Sequence, residues 1–106
     1  MLREIGDRRG EGTALGSLGN AYSRLGETRE AIEYYEQALA ISREIGDRRG
    51  EGNRLGNLGL ALDKLGHREE AIKCTKEALK IFEQIESPSA ENARQKLAKL
   101  QAEAAK

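Results

Sequence analysis

Tryptophan is absent from this 106-residue chain, and proline, cysteine, methionine, phenylalanine and histidine occur once each. With aromatic residues at 4%, there is one small domain whose modest core must come from leucine, isoleucine and alanine. The single cysteine, Cys74, excludes an internal disulfide and makes a reducing compartment the simpler expectation. It reads as a packing residue. His67 has no second histidine or cysteine near it in sequence, so neither a metal site nor a cofactor is expected. Charge of one sign is missing too: 18 basic residues balance 18 acidic ones, leaving no net field toward nucleic acid or an anionic membrane. No apolar run approaches the roughly 18 residues of a membrane span, and Met1-Leu2-Arg3-Glu4 lacks the apolar core of a signal peptide. A soluble, cytoplasmic protein is expected.

What the chain does have is repetition. Residues 3–42 return without a gap as residues 43–82, with more than half of the aligned positions identical. The opening Arg3-Glu4-Ile5-Gly6-Asp7-Arg8-Arg9-Gly10-Glu11-Gly12 recurs unchanged as residues 43–52. A period of about 40 residues means stacked helical repeats. Each unit is then one supersecondary block, and function belongs to a stacked surface rather than to an enclosed pocket.

Punctuation divides each repeat into two helices. Asp7 is the predicted N-cap of a first helix, A, with Leu15, Leu18, Gly19 and Tyr22 at helical spacing and Leu25-Gly26 closing it. Helix B is predicted from about Thr28 to Ile45, with Ala31, Ile32, Tyr35, Ala38, Leu39, Ile41 and Ile45 recurring every three or four residues. Gly46 ends it, Asp47 caps the second helix A, which closes at Leu65-Gly66, and the second helix B covers residues 68–85. Ser87-Pro88 starts a last helix over residues 88–105, with Ala90, Ala93, Leu97, Leu100 and Ala104 on one face. That is the pattern of a capping helix. The expected division is a single domain, 1–106: residues 1–6 as the end of a preceding helix B, repeats at 7–46 and 47–86, and a capping helix at 87–106.

Small residues set the packing. Gly19 and Gly59, with Ala31, Ala38, Ala71 and Ala78, let antiparallel helices approach while leucines fill the gaps. Gly10, Gly12, Gly50 and Gly52 either tolerate loose packing or let a ligand or neighbouring chain come close. Gly10-Glu11-Gly12 lacks the strand and lysine of a phosphate loop. Arg8-Arg9 and Arg48-Arg49 make a basic step diluted by Glu11 and Glu51, so nucleic-acid binding is not expected. The carboxylates mostly find Lys or Arg three or four residues away, so no catalytic use is expected.

Leu15, Leu18, Gly19, Asn20, Ala21, Tyr22, Gly26, Ala31, Tyr35 and Ala38 resemble the tetratricopeptide repeat signature. The second copy matches it at Leu55, Leu58, Gly59, Ala61, Gly66, Ala71 and Ala78, with Leu62 and Thr75 in place of the usual aromatics. The longer period is similar to the variant found in kinesin light chains, spindle-orientation adaptors and many prokaryotic signalling proteins. The resemblance implies an all-α, right-handed α-solenoid of two helix-turn-helix repeats plus a C-terminal capping helix. It also implies a non-enzymatic interaction module that binds a peptide or protein segment on the concave face of its A helices.

Carried over by position, the groove residues are Thr13, Gly16, Ser17, Asn20, Ser23 and Arg24 in the first repeat and Asn53, Gly56, Asn57, Leu60, Asp63 and Lys64 in the second. With Leu97 and Ala98 in the leucine and glycine places, the last helix adds Asn92, Gln95, Lys96 and Lys99. Asn20 and Asn57 offer both donor and acceptor to a peptide backbone. Lys96, with Lys99, Lys64 and Arg24, suits a carboxylate, so an acidic or C-terminal peptide is the expected partner. Carboxylate-clamp repeats are similar at Asn20, Asn57 and Lys96; Gly16 and Asn92 stand where their basic residues would be.

Residues 1–6 match the end of a helix B, as though the chain were cut from a longer array. The apolar surface of the first helix A around Leu15, Leu18 and Tyr22 is expected to be only partly covered by Leu2 and Ile5. The alternative expectation is therefore a structural, self-assembling repeat, by end-to-end stacking or helix exchange, without a specific peptide ligand.

Overall fold

The computed structural model describes residues 5–106, with side chains from residue 7 onward. Among these residues there are five helices and no strand: α1 (Ile5–Arg24), α2 (Thr28–Ile45), α3 (Arg48–Lys64), α4 (Arg68–Gln84) and α5 (Ser89–Ala104). The principal packing is between helices consecutive in the chain, α1 on α2, α2 on α3, α3 on α4 and α4 on α5. The result is an α-solenoid slab of 53 × 32 × 18 Å with α5 as its capping helix. Its 18 Å thickness is less than two helix diameters of about 10–12 Å each.

The core runs along the seam between the helices. Ala31, Ala38, Ala71 and Ala78 are fully buried; Ala31 and Ala78 share a cluster with Tyr35, Leu55, Leu58, Ile81 and Phe82, and Ala71 packs with Leu62 and Leu100. Opposite this line the A helices present glycine. A Cβ on Gly19 would stand 2.6 Å from the Tyr35 ring, and one on Gly59 would stand 2.6 Å from Thr75 Oγ1. No side chain fits there without shifting the helices apart. Gly12 and Gly52 do the same against Ile41 and Phe82, and Gly50 lies on the Asp47 cap, whereas Gly10 faces open space. Three of these four glycines thus serve packing within the chain.

The four inter-helix turns share one hydrogen-bond pattern. In each, the N–H of the positive-φ residue returns to a carbonyl three residues back and the next N–H to one five back: Gly26 to Ser23 and Glu27 to Tyr22, Gly46 to Arg43 and Asp47 to Ser42, Gly66 to Asp63 and His67 to Leu62, Glu86 to Glu83 and Ser87 to Phe82. This double closure caps the last carbonyls of each helix. Three of the four left-handed positions are glycine, but the fourth is Glu86 at φ 54, where a Cβ carries a penalty of about 1 kcal/mol. Glu86→Gly is therefore expected to stabilise the chain by up to about 1 kcal/mol. A lower urea midpoint for the variant would contradict this.

The start of the last helix follows its sequence signal. Ser87 Oγ accepts from Ser89 N at 3.1 Å and Ser87 O from Ala90 N, and Pro88, at φ −58, stands immediately before the first residue of α5, one place ahead of the observed start. The first helix differs from its signal. Asp7 was expected as an N-cap, yet α1 already includes Ile5 and Gly6, and Asp7 lies in its first turn. At Asp47 the expected cap forms, its side chain accepting from Gly50 N at 3.0 Å. Gly46-Asp47 closes α2 and is flanked by Arg9 of α1, whose Nη1 lies 3.0 Å from Asp47 Oδ2. Residues 5–12 are helical, whereas the identical residues 45–52 are broken by a turn, because tertiary surroundings outweigh local preference. The expected cover from Leu2 and the Ile5 side chain lies outside the described residues.

Candidate functional site: a groove between the second repeat and the last helix

Helical spacing brings Asn53, Gly56, Asn57, Leu60 and Asp63 onto one side of α3, and Asn92, Lys96, Lys99 and Glu103 onto the facing side of α5. Between them Thr75, Ala78 and Phe82 of α4 form a floor, leaving a groove of about 410 Å³. The floor is buried and largely apolar, and the walls are polar, with amides on both sides and ammonium groups on one. The groove exists because Gly52, Gly56 and Gly59 place no side chain into it. A Cβ at Gly56 would meet nothing within 4 Å.

One end of the groove is tied by a single guanidinium. Arg68 Nε lies 2.8 Å from Asp63 Oδ1 on α3, and its Nη2 lies 3.3 Å from Glu103 Oε2 on α5. This pairing occupies both carboxylates that line the groove, so Lys96 and Lys99 dominate its charge.

Of the residues expected from sequence, Asn53, Asn57, Leu60, Lys96 and Lys99 are brought together in this groove. Thr13, Ser17, Asn20, Arg24 and Lys64 are not part of it. Thr13 Oγ1 donates to Arg9 O within α1, and Asn20 Oδ1 accepts from the Tyr35 hydroxyl at 2.6 Å. Arg54 carries no repeat signal in the sequence, since at its position the first repeat has Ala14. Its guanidinium crosses from α3 onto Gly16 of α1, on the face where the first repeat's groove residues were expected. The same holds for Phe82, whose counterpart is Ser42. Arg8 pairs with Glu11 and Glu44, and Arg9 with Asp47. Among the described residues no group of three or more His, Cys, Asp or Glu is placed to hold a metal ion, and His67 is exposed beside Glu70.

Paired helices joined by tight turns, the recurring close approach of A-helix glycines to B-helix side chains and an open groove define a stacked helix-hairpin repeat protein. The family model described as tetratricopeptide repeat matches residues 10–84, and the chain belongs to that family. Among curated proteins, none matches the chain. Tetratricopeptide repeats generally mediate protein–protein interaction and serve as non-catalytic scaffolds. No helix among the described residues is long and apolar enough to cross a membrane.

Proposed function

We propose that this chain binds an extended segment of another protein, without catalysis, in the groove between α3 and α5. What carries the reading is the groove's build: an apolar floor at Ala78 and Phe82, amides of Asn53, Asn57 and Asn92 on the walls, and Lys96 and Lys99 along one side. Asparagine amides pair with a peptide backbone whatever its sequence. The two ammonium groups favour a carboxylate, so the preferred segment is acidic or carries its own C-terminus. The setting we infer is cytoplasmic, in keeping with Cys74, whose thiol pKa is pushed up by burial and then by Glu77 and Glu70, leaving little reactive thiolate.

Changing Asn57→Ala and Lys96→Ala together is expected to weaken binding of acidic C-terminal peptides at least tenfold without loss of helix by circular dichroism. Unchanged affinity in fluorescence anisotropy would refute the groove reading. A second reading, self-assembly, is favoured by one comparison. Leu18 of α1 is 42% exposed while its repeat counterpart Leu58, covered within the stack, is 4% exposed. The same apolar surface in two settings is a place for another helix. A single monomer mass by light scattering at high concentration would refute assembly.

A further inference from the structure

Ala14, Leu18, Ala21 and Leu25 follow one another along α1 at alternating spacings of four and three residues, so they share one side of the helix. That side is separate from the one that meets α2, where Gly12 and Gly19 approach Ile41 and Tyr35. All four residues are exposed, Leu25 by 74%. The N–H of Leu25 still bonds Ala21 O, so helical spacing holds to the end of the stripe. In α3 the matching residues are Arg54, Leu58, Ala61 and Leu65. There Leu58 and Ala61 are buried, and Leu58 shares its core cluster with Ala31, Tyr35 and Leu39 of α2. One stripe is thus covered inside the chain and the other faces outward, a surface built for a helix.

The order of sizes along the α1 stripe points to its own copy as the occupant. Small and large residues alternate, so a second α1 turned end for end sets Leu25 against Ala14 and Leu18 against Ala21, one large and one small side chain in every layer. Laid parallel, the same two helices would meet leucine on leucine and alanine on alanine, propped apart at some layers and void at others. The charges favour the same arrangement. Asp7 and Glu11 continue the stripe at its N-terminal end, while Arg24 and Arg29 stand exposed at its C-terminal end without an ion pair among the described residues. Antiparallel placement brings the unlike ends together, and parallel placement the like ones.

We propose that α1 is the contact helix of a two-fold dimer of this chain, packed antiparallel through Ala14, Leu18, Ala21 and Leu25. The inference rests on the self-assembly reading above. Leu15 and Tyr22 flank the seam, the Tyr22 ring being held by its stack on Tyr34 at 5.3 Å. An isologous contact occupies the stripe on both copies at once, so assembly closes at two chains instead of growing end to end. The groove is lined by residues of α3, α4 and α5, so this pairing leaves it open. The seam is shorter than the interface of a permanent dimer, and a reversible one with a dissociation constant of roughly 10–500 µM is expected.

The test is sedimentation equilibrium of the whole chain up to millimolar concentration, with the expected result a monomer–dimer equilibrium and no larger species. Ala14→Arg, which puts on α1 the residue that α3 carries at the matching place, is expected to weaken the dimer at least tenfold. Leu18→Glu is expected to do the same. Both positions are exposed, so circular dichroism and melting of the monomer should be unchanged. In a Cys74→Ala background, chains with Ala14→Cys and chains with Leu25→Cys are expected to cross-link to each other through a short bismaleimide, far more than either does alone. Cross-linking within each single-cysteine sample instead would mean a parallel pair and overturn the proposal. Mass that grows beyond two chains, or a dimer indifferent to Ala14→Arg, overturns the α1 seam and leaves self-assembly standing. A monomer at every concentration overturns both.

Discussion

Phe82→Ala is expected to lower the unfolding free energy by about 3–5 kcal/mol, out of the roughly 5–15 kcal/mol that a domain of this kind possesses. Phe82 is the only phenylalanine of the chain and is 5% exposed. Its ring fills the space left by Gly52 on α3 and belongs to the same core cluster as Ala93 of α5. Truncation would open a cavity where α3, α4 and α5 meet, and neighbours as small as glycine and alanine cannot collapse into it. Phe82→Leu, which keeps most of the volume, is expected to cost less than about 1.5 kcal/mol. Urea unfolding followed by circular dichroism separates the two. A loss below about 1 kcal/mol for the alanine variant would show that the ring is not a structural element.

Gly59→Val is expected to cost about 2–3 kcal/mol, because overpacking outweighs the gain in helix propensity. A Cβ at Gly59 would stand 2.6 Å from Thr75 Oγ1 and 3.3 Å from the backbone oxygen of Ala71. Neither neighbour gives way: Thr75 is buried and its Oγ1 donates to that same oxygen at 2.8 Å. Gly10→Ala is the matched control. Nothing lies within 4 Å of the added methyl, so the ordinary helix advantage of alanine, about 1 kcal/mol, should appear as added stability. Thermal melts of the two variants are expected to shift in opposite directions. Destabilisation by both would mean that α1 is held more tightly around Gly10 than its open surroundings indicate.

Where helix ends are set by local chemistry, the sequence was a sufficient guide. α2 spans Thr28–Ile45 as its apolar spacing and Gly46 predict, and α4 stops one residue short of the expected Ile85. Both ends are fixed by turn hydrogen bonds that involve neighbouring residues only. The start of α1 was not legible, since residues 5–12 and 45–52 are identical in sequence and differ in conformation. No local rule separates two copies of the same letters; Asp47 differs from Asp7 in having Arg9 of α1 packed against it.

The site divides in the same way. Asn53, Asn57, Lys96 and Lys99 were reached through the resemblance to tetratricopeptide repeats, and they line one groove because helical spacing keeps the carried-over positions on one side of α3 and of α5. Arg54 was not, because its position lies beside the groove-facing series and its side chain spans to the adjacent helix. The length and flexibility of an arginine decouple where its charge ends up from where its Cα sits. Arg68 is a like case. It reads as the first residue of a helix, and only the structure shows it joining α3 to α5 through Asp63 and Glu103.

Because each helix packs chiefly on its neighbours in the chain, and the slab is 18 Å thick, this protein has no keystone. Order is handed along from hairpin to hairpin, and disorder entering at either flank advances as a moving front rather than as a collapse of the whole. A partner of the kind proposed, lying across several A helices, would act on that front like a splint, its grip felt as stiffness along the length of the stack as much as at the residues it touches.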